Sequence, residues 1–321
     1  MTADAPLVSV IVPTRERRHL VTRAVTSALR QTHRDVEVIV VVDASTDGTE
    51  DAVAALGDDR VRLIVSDRPR GPAASRNAGI DAARGRVLAF LDDDDEWLPP
   101  KLEAQLPLLG GDVGVVYCPY LIGLGARVAL HRTETPHGDV VVRLASGWAP
   151  AITSSVVVDR DVLGDLRFST RLDGVEDIDM WLELAHRTRF AVEPRPLVVV
   201  EKAASGRVTL QLDARREAIA RLEAKWTPIL AQRGLGAAFA RTCEQMALVA
   251  TLAGGAQRSD IGRSLSTLAA VTRTPMPPRT RAAGVIRLVL GPASTAWIQR
   301  AWFLVAGVPR RRVTDERHAG M

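Results

Sequence analysis

Five consecutive acidic side chains, Asp92, Asp93, Asp94, Asp95 and Glu96, follow the apolar run 87–91. Adjacent carboxylates repel one another by about 1 kcal/mol per close pair even in a water-like dielectric. A divalent cation offsets that economically, because Mg2+ and Mn2+ take oxygen ligands, often one or two carboxylates plus substrate phosphates. The alternative is a solvated acidic loop that caps the following helix. A second acidic pair, Glu176 and Asp177, opens an amphipathic stretch. Taken alone, it reads as a helix start stabilised by the dipole.

The elements around these residues follow from two hydrophobic periods. Runs 8–12, 36–42, 61–65 and 87–91 are short, apolar and rich in β-branched residues, as buried strands are. Between them, 19–31, 49–56 and 73–83 carry helical spacing. Strand alternating with helix predicts an α/β chain with a mostly parallel sheet flanked by helices. Ligands in such sheets bind beyond the carboxyl ends of the strands. There stand Pro13, Thr14, Arg15, Glu16 and Arg17 after the first run, Asp43 to Gly48 after the second, and the acidic cluster after the fourth. Further on, 101–109 and 176–186 read as helices, 113–117 and 153–158 as strands, and 192–200 as extended. From 212 the pattern is helical to about 253, and in pieces to 308.

With 321 residues, 46% hydrophobic and 25% charged, the chain is neither a disordered tail nor a disulfide-stapled miniprotein. Cys118 and Cys243 form no metal-binding pair, and a reduced cytoplasmic setting is expected. The net charge of +4 hints at nucleic acid until it is located. Residues 257–321 hold 11 Arg against 3 acidic residues, net +8, which leaves −4 for residues 1–256. No nucleic-acid recognition element accompanies that basic tail. Its apolar residues Trp297, Ile298, Trp302, Leu304 and Val305, beside Arg300 and Arg310 to Arg312, suit either peripheral contact with an anionic membrane face or packing on the body. Ser154 and Ser155 have no His and Asp partners at a recognisable spacing, which argues against a serine hydrolase.

The stretches 8–14, 43–49, 76–80 (Arg-Asn-Ala-Gly-Ile), 91–97 (Leu-Asp-Asp-Asp-Asp-Glu-Trp) and 175–181 (Val-Glu-Asp-Ile-Asp-Met-Trp) together resemble the family 2 glycosyltransferases. The resemblance covers about the first 200 residues and implies a GT-A, Rossmann-like fold with a C-terminal helical extension. It implies a catalytic domain over 1–205, with a donor half at about 1–110 and an acceptor half at about 111–205, and an extension over 206–321. It further implies inverting transfer from a nucleoside-diphosphate sugar, UDP- or dTDP-linked, to a sugar, lipid-linked or natural-product acceptor, and the absence of a processive-synthase signature favours a single addition. Asp177 falls on the base position, and Asp92, Asp94 and Asp95 on the metal-binding pattern, with Mg2+ or Mn2+ the implied cofactor. Pro13, Thr14, Arg15, Asp43, Arg76 and Asp94 fall on the donor side. Trp97, Trp148, Glu176 and Trp181 are acceptor-side candidates, Trp181 equally a candidate for the core. The chain departs from the family at Val42 and Ala44, where an aspartate and a glycine are usual, and at Arg15–Glu16, where an aromatic is common. The Gln-x-x-Arg-Trp signature of processive synthases is absent: Ala214 stands three residues after Gln211. A nucleotidyltransferase would carry a Gly-rich phosphate loop after the first strand, and 13–19 holds no Gly. A sugar-nucleotide-binding protein without catalysis is the other alternative.

Overall fold

A computed structural model describes residues 7–123, 128–130, 135–147, 152–201 and 212–255. The chain divides into two compact units, Met1–Arg207 and Val208–Met321.

In the first unit, strands β1 (Val8–Thr14), β2 (Val36–Asp43), β3 (Val61–Ser66) and β4 (Val87–Phe90) alternate with helices α1 (Arg18–Leu29), α2 (Thr49–Ala54) and α3 (Pro72–Ala82). Every residue of β1, β2 and β4 is buried, as expected of strands covered on both faces. These four strands are mutually parallel, and a seven-stranded sheet is completed by β6 (Val113–Tyr117), β9 (Val157–Asp159) and β10 (Arg189–Val192) in the order β10-β6-β9-β4-β1-β2-β3. Only β9 runs against its neighbours β4 and β6. A smaller sheet, β5-β11-β7-β8, joins β5 (Asp95–Trp97), β7 (Tyr120–Gly123), β8 (Val128–Leu130) and β11 (Val198–Glu201). Helices α4 (Lys101–Gln105), α5 (Val141–Ala145), α6 (Arg160–Leu163) and α7 (Glu176–Ala185) complete the unit.

This is the mostly parallel, helix-flanked α/β sheet that the alternating periods predict. Three local expectations change. The acidic run is not all loop, because its last two members enter β5. Residues 153–158 split into a 3-10 turn (Thr153–Ser155) and the short β9. The stretch 192–200 is not one strand: β10 ends at Val192 and β11 begins at Val198, in the other sheet.

Helix α3 lies so close to β1 that a Cβ at Gly79 would stand 2.4 Å from Ile11 Cγ2. Only glycine permits that approach, which brings the side chains of α3 to the strand mouths. In the second unit, α8 (Leu212–Ala231) packs against α9 (Gly236–Gly255), with Gly234 at φ 72° in the tight turn between them. Leu222, Leu230, Phe239 and Cys243 are buried there. Among the described residues no helix is long and apolar enough to cross a membrane. The expected helical pieces beyond 255, including the tail tryptophans, lie outside the described residues.

Candidate functional site

The acidic turn leaves β4 through Leu91, whose N–H still bonds Ile11 O at 3.0 Å, and closes when Asp95 N–H donates to Asp92 O at 3.1 Å. Its carboxylates have protein partners. Arg17 Nη1 reaches Asp93 Oδ1 at 2.8 Å and Asp94 Oδ2 at 3.2 Å. Thr14 Oγ1 donates to Asp93 Oδ2 at 2.8 Å, and Arg76 Nη2 to Asp92 Oδ1 at 2.8 Å. Ser154 Oγ donates to Asp95 Oδ2 at 2.5 Å. The repulsion that made a cation attractive from sequence is therefore offset largely by Arg17 and Arg76 on the aspartates, Arg23 on Glu96, and two hydroxyls. Burial still pushes the Asp93 carboxyl up to about 6, against the opposing pull of Arg17 and Thr14.

Arg76 is the hub of the site. It projects from α3, is almost fully buried, and donates from Nη2 to Asp92 and from Nη1 to Glu176 Oε1 at 3.0 Å. Burial opposes its charge, but the two carboxylates outweigh that and hold the guanidinium above its ordinary value. Its Cζ also sits 5.4 Å from the centre of the Phe168 ring, which meets Phe90 and Trp181 edge-on. The next residue, Asn77, accepts from Phe168 N–H and donates to Phe168 O, both at 2.8 Å. Two adjacent residues of α3 thus grip the segment that leads into α7.

At the start of α7, Glu176 also accepts from Gly174 N–H at 2.7 Å. Beside it, Asp177 is pushed up to about 6, first by burial and then by the Glu176 charge; the Ile178 N–H and Arg76 oppose the rise. A carboxylate held in that range is a stronger base than an ordinary aspartate and remains ionised at neutral pH.

The β1 and β2 mouths are stitched together. Asp43 accepts from Arg70 N–H at 2.8 Å and Gly71 N–H at 2.9 Å, one on each oxygen, which anchors the entry to α3. Glu16 and Ala44 both take left-handed backbone, at φ 52° and 53°. Such non-glycine strain persists only where surroundings over-determine it. Here Glu16 N–H donates to Ser45 Oγ while the Glu16 carboxylate accepts from Thr46 N–H and Oγ1.

Among the described residues no three His, Cys, Asp or Glu side chains converge as a metal cage. Asp92 and Asp94, with side chains 32% and 16% exposed, flank buried Asp93. That donor set fits a hard cation whose remaining ligands come from a phosphate and water.

Residues 9–153 match the family model described as Glycosyl transferase family 2. A relative from Escherichia coli, UDP-Glc:alpha-D-GlcNAc-diphosphoundecaprenol beta-1,3-glucosyltransferase WfgD, is 31% identical over 182 residues, covering 56% of this chain and 70% of WfgD. The chain belongs to glycosyltransferase family 2. The glycosyltransferase shares the GT-A fold of Staphylococcus aureus TarS 1-349 in complex with UDP-GlcNAc, with TM-score 0.62, 18% identity, and coverage of 90% of this chain and 82% of TarS 1-349. It is likewise similar to the mannosyltransferase PcManGT from Pyrobaculum calidifontis in complex with GDP-Man and Mn2+, with TM-score 0.55, 23% identity, and coverage of 93% and 88%.

The transferase brings Thr14, Arg76, Asp92, Asp93, Asp94, Glu176 and Asp177 into one network, although the sequence separates them by up to 163 positions. Pro13 is buried within β1, and Arg15 is exposed at its mouth. Protein surrounds four of the predicted residues. Asp95 is 3% exposed and accepts from Ser154 Oγ. Trp97 is 3% exposed, donates from Nε1 to Ser154 O at 2.8 Å, and lies 4.0 Å below Lys101 Nζ. Trp181 is 0% exposed. Neither tryptophan offers a face to an acceptor sugar. Glu176 accepts from Arg76 Nη1 and from Gly174 N–H. Trp148 lies outside the described residues. Sequence reasoning placed Arg17 only among the polar groups after the first strand, and missed Asn77 and Ser154 as parts of the site. Asn77 stands inside a family-like stretch and Arg17 three residues beyond another, whereas Ser154 reaches the turn across 59 to 62 positions without any local signal.

Proposed function

We propose that this glycosyltransferase moves a sugar from a UDP- or dTDP-sugar to an acceptor hydroxyl in a single addition with inversion. The observation that carries the reading is the Arg76 bridge, which ties Asp92 of the acidic turn to Glu176 beside the elevated carboxyl of Asp177. It supports a donor diphosphate at the turn and a base within one connected site.

In this mechanism Asp177 takes the proton of the acceptor hydroxyl as its oxygen bonds the anomeric carbon. The bond from that carbon to the diphosphate oxygen breaks on the opposite face, and the diphosphate leaves with the electron pair. Asp92 and Asp94 would hold a Mg2+ or Mn2+ ion, which when bound supplies Lewis-acid stabilisation of the leaving diphosphate. Arg76 keeps Asp92 and Glu176 in register, and Arg17 limits the repulsion among Asp92, Asp93 and Asp94. Asp43, with unused lone pairs on both oxygens, serves the donor base from the β2 mouth, with Pro13, Thr14 and Arg15 beside it. A uridine donor and a lipid-diphosphate-linked acceptor are favoured by the name of the WfgD relative. With such an acceptor, the basic stretch around 300–312 provides charge for peripheral contact with an anionic inner membrane face. The catalytic domain in this reading is 1–205, with donor and acceptor halves meeting near 110, and 206–321 is an extension.

Asp177→Asn is the test. Transfer should be abolished while calorimetry still detects UDP binding with Mn2+. Full activity in that variant overturns the assignment of the base.

A further inference from the structure

Ser154 is 0% exposed and sits in the 3-10 turn Thr153–Ser155, far in sequence from the carboxylates it touches. Its Oγ accepts from Asp92 N–H at 3.0 Å and donates to Asp95 Oδ2 at 2.5 Å, so one oxygen holds both ends of the acidic turn. Its carbonyl accepts from Trp97 Nε1 at 2.8 Å, a third attachment two residues further on. The serine is held from behind, because Gln105 Nε2 donates to Ser155 O at 2.9 Å. Only a group that donates and accepts at once can serve an N–H and a carboxylate together, and among small side chains a hydroxyl does that.

Strand alternation explains the direction of Asp95. It shares a face of β5 with Trp97, and both are buried, while Glu96 points the other way and pairs with Arg23 at 2.8 Å. Asp92 and Asp94 are left as the more open aspartates of the turn.

We propose that Ser154 is a positioning residue of the glycosyltransferase: through the backbone of Asp92 and the side chain of Asp95 it sets the shape in which the acidic turn meets a metal–diphosphate. Asp95 acts through that hydrogen bond and touches neither the cation nor the donor. The proposal rests on the functional reading above, in which Asp92 and Asp94 face the diphosphate.

The test measures UDP binding by calorimetry, in EDTA and again with saturating Mn2+, on the full chain. Thermal unfolding of each variant sets a temperature at which all are folded. Ser154→Ala should weaken Mn2+-dependent UDP binding by about tenfold, the lower end of what supporting partners of metal sites contribute. Its binding in EDTA should stay within about twofold, because a general loss of fold would move both. Asp95→Asn should bind like wild type in both conditions, since the amide oxygen still accepts from Ser154. Asp94→Asn should lose the Mn2+ response. Should Ser154→Ala fail to fold, Ser154→Cys replaces it, and a near-isosteric thiol, a weak donor, should still reduce the Mn2+ response. Equal losses with and without Mn2+, no loss at all, or an Asp95→Asn defect matching Asp94→Asn would overturn the proposal while leaving the functional reading intact. Wild-type UDP binding that ignores Mn2+ would overturn that reading and this proposal together.

Discussion

The elevated carboxyl of Asp177 makes the pH dependence of transfer a sharp test. With its pKa near 6, the base is ionised above that value and protonated below it. At pH 5 about a tenth of the enzyme then carries an active base, so kcat/KM should stand about tenfold below its plateau. An aspartate at the ordinary value would still be about nine-tenths ionised there. After burial, the largest cause of the rise is the Glu176 charge. Glu176→Gln removes that charge but keeps an oxygen for Arg76 Nη1 to bond. The Asp177 pKa should therefore fall by about one unit. At pH 5 the variant should retain about half of its own plateau, a fivefold gain over the tenth left to wild type. The assay is kcat/KM for transfer from pH 4.5 to 8 at saturating Mn2+, which reports the free enzyme. A wild-type acid limb at or below pH 4.5, or an unmoved or raised limb in Glu176→Gln, refutes the assignment.

Asp177 should also cost stability. Its folded pKa lies above its unfolded one, so its contribution to stability is fully present below about pH 4 and lost as pH rises through 6. Asp177→Asn should therefore exceed wild type by about 1–3 kcal/mol at pH 7.5, with the gap closing near pH 4, as read from urea unfolding. Gly79→Ala places a Cβ 2.4 Å from Ile11 Cγ2 and should lose about 1–3 kcal/mol. In the double variant with Ile11→Ala the losses should add to less than their sum, since the second change removes the clashing methyl. Asn77→Ala removes both bonds to the Phe168 backbone, and should lower kcat through the base-bearing segment while donor KM holds steady. Equal changes in kcat and KM for the donor would count against that role.

The alternation of apolar runs was enough to read the parallel α/β sheet, because strands buried on both faces must be continuously apolar and the intervening helices amphipathic. The placement of Thr14, Asp43 and Asp92 at strand ends followed from the same pattern, since each apolar run stops where its polar residues begin. What the carboxylates do there did not follow. Counting charges along 92–96 makes a cation the natural counterweight, yet Arg17 and Arg76 arrive from α1's approach and from α3 to take much of that role. Trp97 reads from sequence as an acceptor-side residue and Trp181 equally as core, and burial puts both in the core.

Local sequence therefore determined the elements and the chemistry offered at each strand mouth, because hydrophobic period and residue type act over a few residues. Tertiary structure alone decided the partnerships. The Arg76 bridge to Glu176 spans 100 positions, and Ser154 meets Asp92 and Asp95 across 62 and 59. Contacts at such separations depend on how β9 slots between β4 and β6 and how closely α3 lies on β1, and no local period encodes either.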